Sequence, residues 1–181
     1  MKLTGKRVAV LVGPGFEDLE FWVPVMRLRE EGAEVIVVGI HAGESYTSKS
    51  GGLQVVADAG VEELTGAGQL AGAALHAVVI PGGWAPDKLR RYQAVTDLVR
   101  AMYEQNKIVA SICHGGQVLI SAGVVKGHRA TGSLGIKDDL INAGATWVDR
   151  PAFREGNLVW GRVVPDIPAF CRELVQALSA E

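Results

Sequence analysis

Ile108-Val-Ala-Ser-Ile-Cys-His-Gly-Gly116, running on into Gln117-Val-Leu-Ile-Ser-Ala-Gly123, reads as a strand, a sharp corner and a helix. The apolar run is a strand short enough to be buried on both faces. The two glycines permit a strained turn, and the segment to Ala122 has a helical pattern that Gly123 stops. Cys113 therefore stands at a corner of the nucleophile-elbow kind, raised above a sheet edge, with backbone N–H groups directed to the same point. The positive end of the following helix is expected to favour thiolate over thiol.

Strands and helices alternate on both sides of that corner. Arg7 to Val12 is a continuous apolar strand. Asp18 to Glu31 is helical, with Leu19, Trp22, Val23 and Met26 at helical spacing and Pro24 expected to kink it or mark its start. Glu34 to Ile40 is the next strand, which makes a right-handed βαβ unit. Residues 41–58 suggest a small hairpin at the sheet edge, and Ala59 to Leu75 a short helix with a connecting loop. His76 to Ile80 is a strand ending in Pro81-Gly82-Gly83, and Leu89 to Asn106 a long helix. Ile136 to Ala143 is a helix, Trp147-Val148 and Asn157 to Val163 are late strands, and Pro165 to Leu178 closes the chain as an amphipathic helix. This alternation predicts a doubly wound three-layer α/β/α sandwich with a mostly parallel sheet, a single domain over 1–181. Ligands bind beyond the carboxyl ends of such strands, so the turns after Val12, Ile80 and Ser111 converge on one edge.

Composition narrows the function. The chain has 181 residues, a formal net charge of −2 and 48% hydrophobic residues, so no basic field points to nucleic acid or an anionic membrane. No run approaches the ~20 apolar residues needed to span a bilayer, and the N-terminal apolar segment is too short for a signal peptide. With Cys113 and Cys171 in unlike contexts, a cytoplasmic protein with free thiols is expected. His41, His76 and His128 have no zinc-ligand spacing, so neither metal nor cofactor is expected.

Four side chains could carry chemistry. Cys113 is the candidate nucleophile, against the plain role of a buried small hydrophobe, and an exposed low-pKa thiol could equally serve redox sensing. His114 could act as general base, and its backbone N–H, with that of Gly83, could form an oxyanion hole. Glu17 could place a carboxyl beside the thiol and shuttle a proton, although acids are ordinary in a helix's first turn. Asp87 could orient His114, or simply cap the helix that follows. Cys171 lies on the stripe of the last helix and reads as structural. The sequence excludes a glutamine amidotransferase triad, because no histidine follows His128.

The chain resembles the ThiJ/PfpI family (the parkinsonism-associated deglycase superfamily), most closely its PfpI or intracellular protease I branch. Gly15-Phe-Glu-Asp18, Val79-Ile-Pro-Gly-Gly-Trp-Ala-Pro86, Ala110-Ser-Ile-Cys-His-Gly115, Leu119 to Gly123 and Gly135-Ile-Lys-Asp-Asp-Leu-Ile-Asn-Ala-Gly144 carry the likeness. The resemblance implies a flavodoxin-like fold close to the class I glutamine amidotransferase domain, and a homodimer that some members build into a hexamer. It assigns Cys113 as nucleophile, His114 as its neighbour and Glu17 as the carboxyl contacting the thiol. Asp87 would reach the neighbouring subunit's His114; the resemblance puts glutamate there, so the shorter aspartate weakens the peptidase triad more than the thiol chemistry. The implied activities are glyoxalase III-type or protein deglycase action on small aldehydes and glycated protein or peptide. The alternatives are an intracellular cysteine peptidase or a non-enzymatic redox-responsive stress protein or chaperone.

Overall fold

The computed structural model describes residues 1–64, 69–70 and 73–180. A seven-stranded sheet forms its centre: β1 (Arg7–Leu11), β2 (Glu34–Gly39), β3 (Ala59–Gly60), β4 (Ala77–Ile80), β5 (Ile108–Ile112), β6 (Ala152–Glu155) and β7 (Leu158–Gly161). The order across the sheet is β6-β7-β5-β4-β1-β2-β3, and only the β6–β7 pair is antiparallel. The chain leaves β1 toward β2 and β3, then returns to β1's other side to lay down β4 and β5. The switch point therefore falls between β1 and β4, where a crevice opens beyond the strand ends.

Six helices accompany the sheet among the described residues: α1 (Asp18–Glu30), α2 (Ala85–Leu89), α3 (Gln93–Glu104), α4 (Gly116–Ala122), α5 (Lys137–Asn142) and α6 (Ile167–Ser179). Alternation along β7 shows how both faces are covered. A Cβ built on Gly116 of α4 would lie 3.3 Å from the Trp160 ring, whereas one on Gly161 would lie 2.8 Å from the Phe170 ring of α6. Consecutive strand residues point to opposite faces, so α4 and α6 lie on opposite sides. In α3, Val95, Leu98, Val99 and Met102 form the buried stripe. In α6, Ile167, Phe170, Cys171, Leu174, Val175 and Leu178 do the same. Cys171 is buried there as a free thiol, which burial pushes up to about 11.

Several elements differ from the sequence reading. The expected helix from Leu89 is two helices, α2 and α3, separated by an extended Tyr92. Within 59–75, the chain makes the edge strand β3, a 3₁₀ turn at Val61–Leu64 and an antiparallel pair of Gln69–Leu70 with Ala73–Ala74 in place of the expected helix and loop; 65–68 and 71–72 lie outside the described residues. The hairpin of 41–58 exists (Ser45–Thr47 with Gln54–Val56) but forms its own two-stranded sheet. Thr146–Trp147 pairs with Arg129–Ala130 outside the main sheet. The outermost strand, β6, joins β7 through Gly156-Asn157.

The largest difference is the rotation of α1. Its core-facing residues are Glu20, Phe21, Pro24, Val25 and Leu28, and the helix runs through Pro24 without interruption. Leu19, Val23 and Met26, three of the four residues at helical spacing, are exposed at 50%, 37% and 62%. The second apolar series, Phe21-Val25-Leu28, outcompetes the first because Phe21 can stack on Phe16, with ring centroids 5.0 Å apart. That rotation turns Glu20 inward.

Candidate active site

The loops after β1, β4 and β5 meet at the switch point. Cys113 leaves β5 with φ +60°, in the left-handed region, and the chain passes through a 3₁₀ turn at Cys113–Gly115 into α4. A non-glycine residue in that region stores roughly 1 kcal/mol or more of strain, which the surrounding structure must hold. The strain lifts the thiol out of the strand. His114 Nδ1 lies 3.3 Å from Cys113 Sγ.

Pro81-Gly82-Gly83 runs alongside. The bridge between Phe16 and Gly83, with Trp84 N–H donating to Gly15 C=O at 2.8 Å, locks this loop to the one after β1. Gly82 N–H donates to Glu20 Oε2 at 2.9 Å. A Cβ on Gly82 would stand 2.4 Å from Glu20 Oε2 and 2.8 Å from Cys113 Cβ, so only glycine lets thiol and carboxyl approach. Gly83 has φ +80°, and its N–H and that of His114 both act on the Cys113 sulfur, favouring its charged form.

The carboxyl beside the thiol is Glu20, not Glu17. Glu17 precedes α1 in extended conformation and caps it, its Oε2 accepting Glu20 N–H at 2.8 Å. Glu20, one turn further on, lies on the core-facing side and is wholly buried. Its Oε1 has no partner of full hydrogen-bond geometry, so the contact with the thiol is a loose one. Glu17 still lines the same cavity.

The two groups titrate as a coupled pair. Burial, reinforced by the Glu17 charge, raises Glu20 to about 7. Burial, then the Glu20 charge and hydrogen bond, push the Cys113 thiol up to about 12, and the His114 and Gly83 N–H groups only partly offset this. The helix-end effect expected to favour thiolate is therefore outweighed by desolvation. What the geometry provides is a thiol in loose contact with a buried carboxyl. Burial and then the Lys49 charge hold the His114 imidazole below its ordinary value, which keeps it neutral.

A cavity of about 360 Å³ opens over these groups, lined also by Lys49, Trp84, Ser133 and the Val163–Pro165 segment. Lys49 was not singled out from sequence. It arrives on the tip of the 45–56 hairpin, which is pinned over the site: Lys49 N–H donates to Phe16 C=O at 2.8 Å, and Ser50 Oγ to Asp18 Oδ1 at 2.6 Å. The Ser-Gly-Gly tip and Asp18 at the helix start were the available signals. Asp87 is not in this cavity; it lies exposed on α2 and pairs with Arg91 at 2.5 Å.

A strained cysteine corner, two converging N–H groups and a buried glutamate at the switch point of a doubly wound sheet define a thiol-centred α/β protein. The comparison with protein families makes this specific: residues 6–177 match the DJ-1/PfpI family, and the chain belongs to it. A deglycase of Pyrococcus abyssi is 43% identical over 173 residues, covering 96% of this chain and 99% of that protein. Protein/nucleic acid deglycase 2 of Escherichia coli is 37% identical over 176 residues, 97% and 99% of the two chains. A crystal structure from Anabaena variabilis, a two-domain protein with DJ-1/ThiJ/PfpI-like and ferritin-like domains, superposes with TM-score 0.88 at 39% identity. That match covers 96% of this chain but spans only 48% of the Anabaena chain. No helix among the described residues is long and apolar enough to cross a membrane.

Proposed function

We propose that this chain is a cysteine-dependent enzyme acting on reactive carbonyls, of glyoxalase III or protein deglycase type. The observation that carries the reading is the convergence of the Gly83 and His114 N–H groups on the Cys113 sulfur, beside a buried glutamate raised to about 7. In a 2-oxoaldehyde such as methylglyoxal, sulfur attack on the aldehyde carbon forms a C–S bond and places the carbonyl pair on oxygen. The two N–H groups stabilise that charge, and the proton leaving the thiol passes through Glu20 to the oxygen. Glu20 or neutral His114 then takes the hydrogen on that carbon as a proton and returns one to the adjacent carbon. The result is a thioester of lactate. Water cleaves the C–S bond and regenerates the thiol, so methylglyoxal and water become lactate with no external oxidant. In a hemiaminal or hemithioacetal adduct, breaking the C–N or C–S bond, with the hydroxyl proton passing to the departing amine or thiol, first restores the aldehyde, which then follows the same sequence.

Relatives named deglycases support this reading, one named a putative cysteine protease leaves the peptidase as the second reading, and Asp87's pairing with Arg91 within its own chain favours the first. The exposed Leu19-Val23-Met26 stripe on α1 supports a homodimer, the assembly in which Asp87 would meet the partner's site. Two free cysteines suit the reducing cytoplasm. Lactate measured in a single turnover tests the function: wild type should form it and Cys113→Ala should not. Equal formation by both proteins would refute the reading.

A further inference from the structure

We propose that the site selects 2-oxoaldehydes bearing a carboxylate a few bonds from the reacting carbon, and that Lys49 is the residue that recognises it. This deepens the carbonyl reading above and rests on it for turnover, although not for binding.

Among the described residues lining the cavity, Lys49 is the one lysine or arginine, and it makes none of the ion pairs found elsewhere in the chain. Its position is built. The backbone is tied to Phe16, the next residue is latched to Asp18, and Nζ sits 5.8 Å from the centre of the Trp84 ring. The Trp84 ring itself packs against Gly15, where a Cβ would come within 3.1 Å. An ammonium near the face of an aromatic ring that packs on the neighbouring loop loses less freedom on meeting an anion than one on an unsupported side chain, even with Trp84 59% exposed.

The other charges leave it available. The Glu17 carboxylate is occupied in capping α1, and Glu20 is held by Gly82 N–H beside the thiol. His114 is turned to Cys113 Sγ. A substrate whose aldehyde carbon sits at Sγ thus meets two acids already hydrogen-bonded to the main chain and one cation in no direct ion pair, whose charge reaches Glu20 only through space. Methylglyoxal carries no anion for that cation. A five-carbon 2-oxoaldehyde with a terminal carboxylate carries one four bonds from the aldehyde carbon, and the cavity of about 360 Å³, lined by both Cys113 and Lys49, has room for it.

The matched substrates are 4,5-dioxopentanoate and its methyl ester. The acid takes up water to give 2-hydroxyglutarate: C5 is oxidised from aldehyde to carboxylate, C4 is reduced from ketone to alcohol, and the hydrogen moves between them as a proton. Wild type should show kcat/KM about tenfold higher for the acid, the scale of one partly screened charge-assisted hydrogen bond. Lys49→Gln should remove that preference, mainly through KM, and Lys49→Arg should restore it. A second measurement needs no turnover: alkylation of Cys113 by iodoacetate and by iodoacetamide, isosteric reagents differing in charge. The iodoacetate-to-iodoacetamide rate ratio should fall about tenfold in Lys49→Gln, and the wild-type excess should shrink as salt is added. An alkylation ratio equal in wild type and Lys49→Gln, or acid and ester turned over alike by wild type, overturns the proposal. If neither oxoaldehyde is turned over while the alkylation preference persists, the anion subsite is supported and the carbonyl function is what fails.

Discussion

Replacing Glu20 by Gln removes the buried charge while keeping an oxygen to accept Gly82 N–H. Glu20 is raised from 4.5 to about 7 in the folded chain. A carboxyl whose folded value lies above its unfolded one binds more protons when folded. Its contribution is therefore favourable below the unfolded value and is lost as pH rises through the folded one. Between pH 5 and pH 8 wild type should lose about 2 to 3 kcal/mol through this group alone, at ~1.4 kcal/mol for each unit of displacement. The Gln variant lacks that loss. Its side-chain amide adds a donor near the thiol, with a constant cost of about 1 kcal/mol, but comparing slopes between the two pH values cancels it. The assay is urea unfolding of both proteins at pH 5 and pH 8, followed by thermal melts. For a chain of this size the Tm advantage of the variant should grow by about 5 to 10 °C between the two pH values. At the same time carbonyl turnover should fall at least about a hundredfold, the usual scale for losing a positioned proton carrier. Parallel stability-versus-pH curves for the two proteins would show that Glu20 is not a strained, buried acid, and the proton-sharing mechanism would go with it.

Cys113→Gly should abolish lactate formation yet leave the protein as stable as Cys113→Ala or more so, by roughly 1 kcal/mol in urea unfolding, because glycine accepts φ +60° without strain. Gly82→Ala should cost at least about 3 kcal/mol or prevent folding, since its Cβ would press on Glu20 and Cys113; a native-like melt would refute the close approach. Asp87→Ala removes only an exposed pair with Arg91 within the chain, so its melt should match wild type. A turnover loss with that unchanged melt would assign Asp87 to the partner's site, whereas unchanged turnover would remove it from the machinery. Asp18→Ala unlatches the hairpin tip from α1 and should reduce the iodoacetate preference at Cys113, measured as the ratio of alkylation rates.

Much of the site was legible before any coordinates. The alternation of strands and helices, the apolar run ending at Ile112 and the glycines around Cys113 and after Pro81 are local patterns, and each makes the same demand wherever the chain folds. They placed Cys113, His114 and Gly83 at strand ends that the structure brings together. The carboxyl was misplaced for an equally physical reason. Leu19-Trp22-Val23-Met26 and Phe21-Val25-Leu28 are two apolar series about 140° apart on one helix, and spacing alone does not say which faces inward. Glu17 was named from its place next to the turn and from the family resemblance, neither of which fixes the rotation of the helix. The Phe16–Phe21 ring contact chooses the second and turns Glu20 inward.

By itself the sequence determined the fold class, the corner that strains Cys113 and the loops that surround it, because strand burial, turn chemistry and left-handed backbone are decided within a few residues. Tertiary structure alone decided which carboxyl lies beside the sulfur, how deeply both groups are buried and which cation lines the cavity. Helix rotation, desolvation and the placing of a distant hairpin depend on what packs against what, and no window of neighbouring residues contains that information.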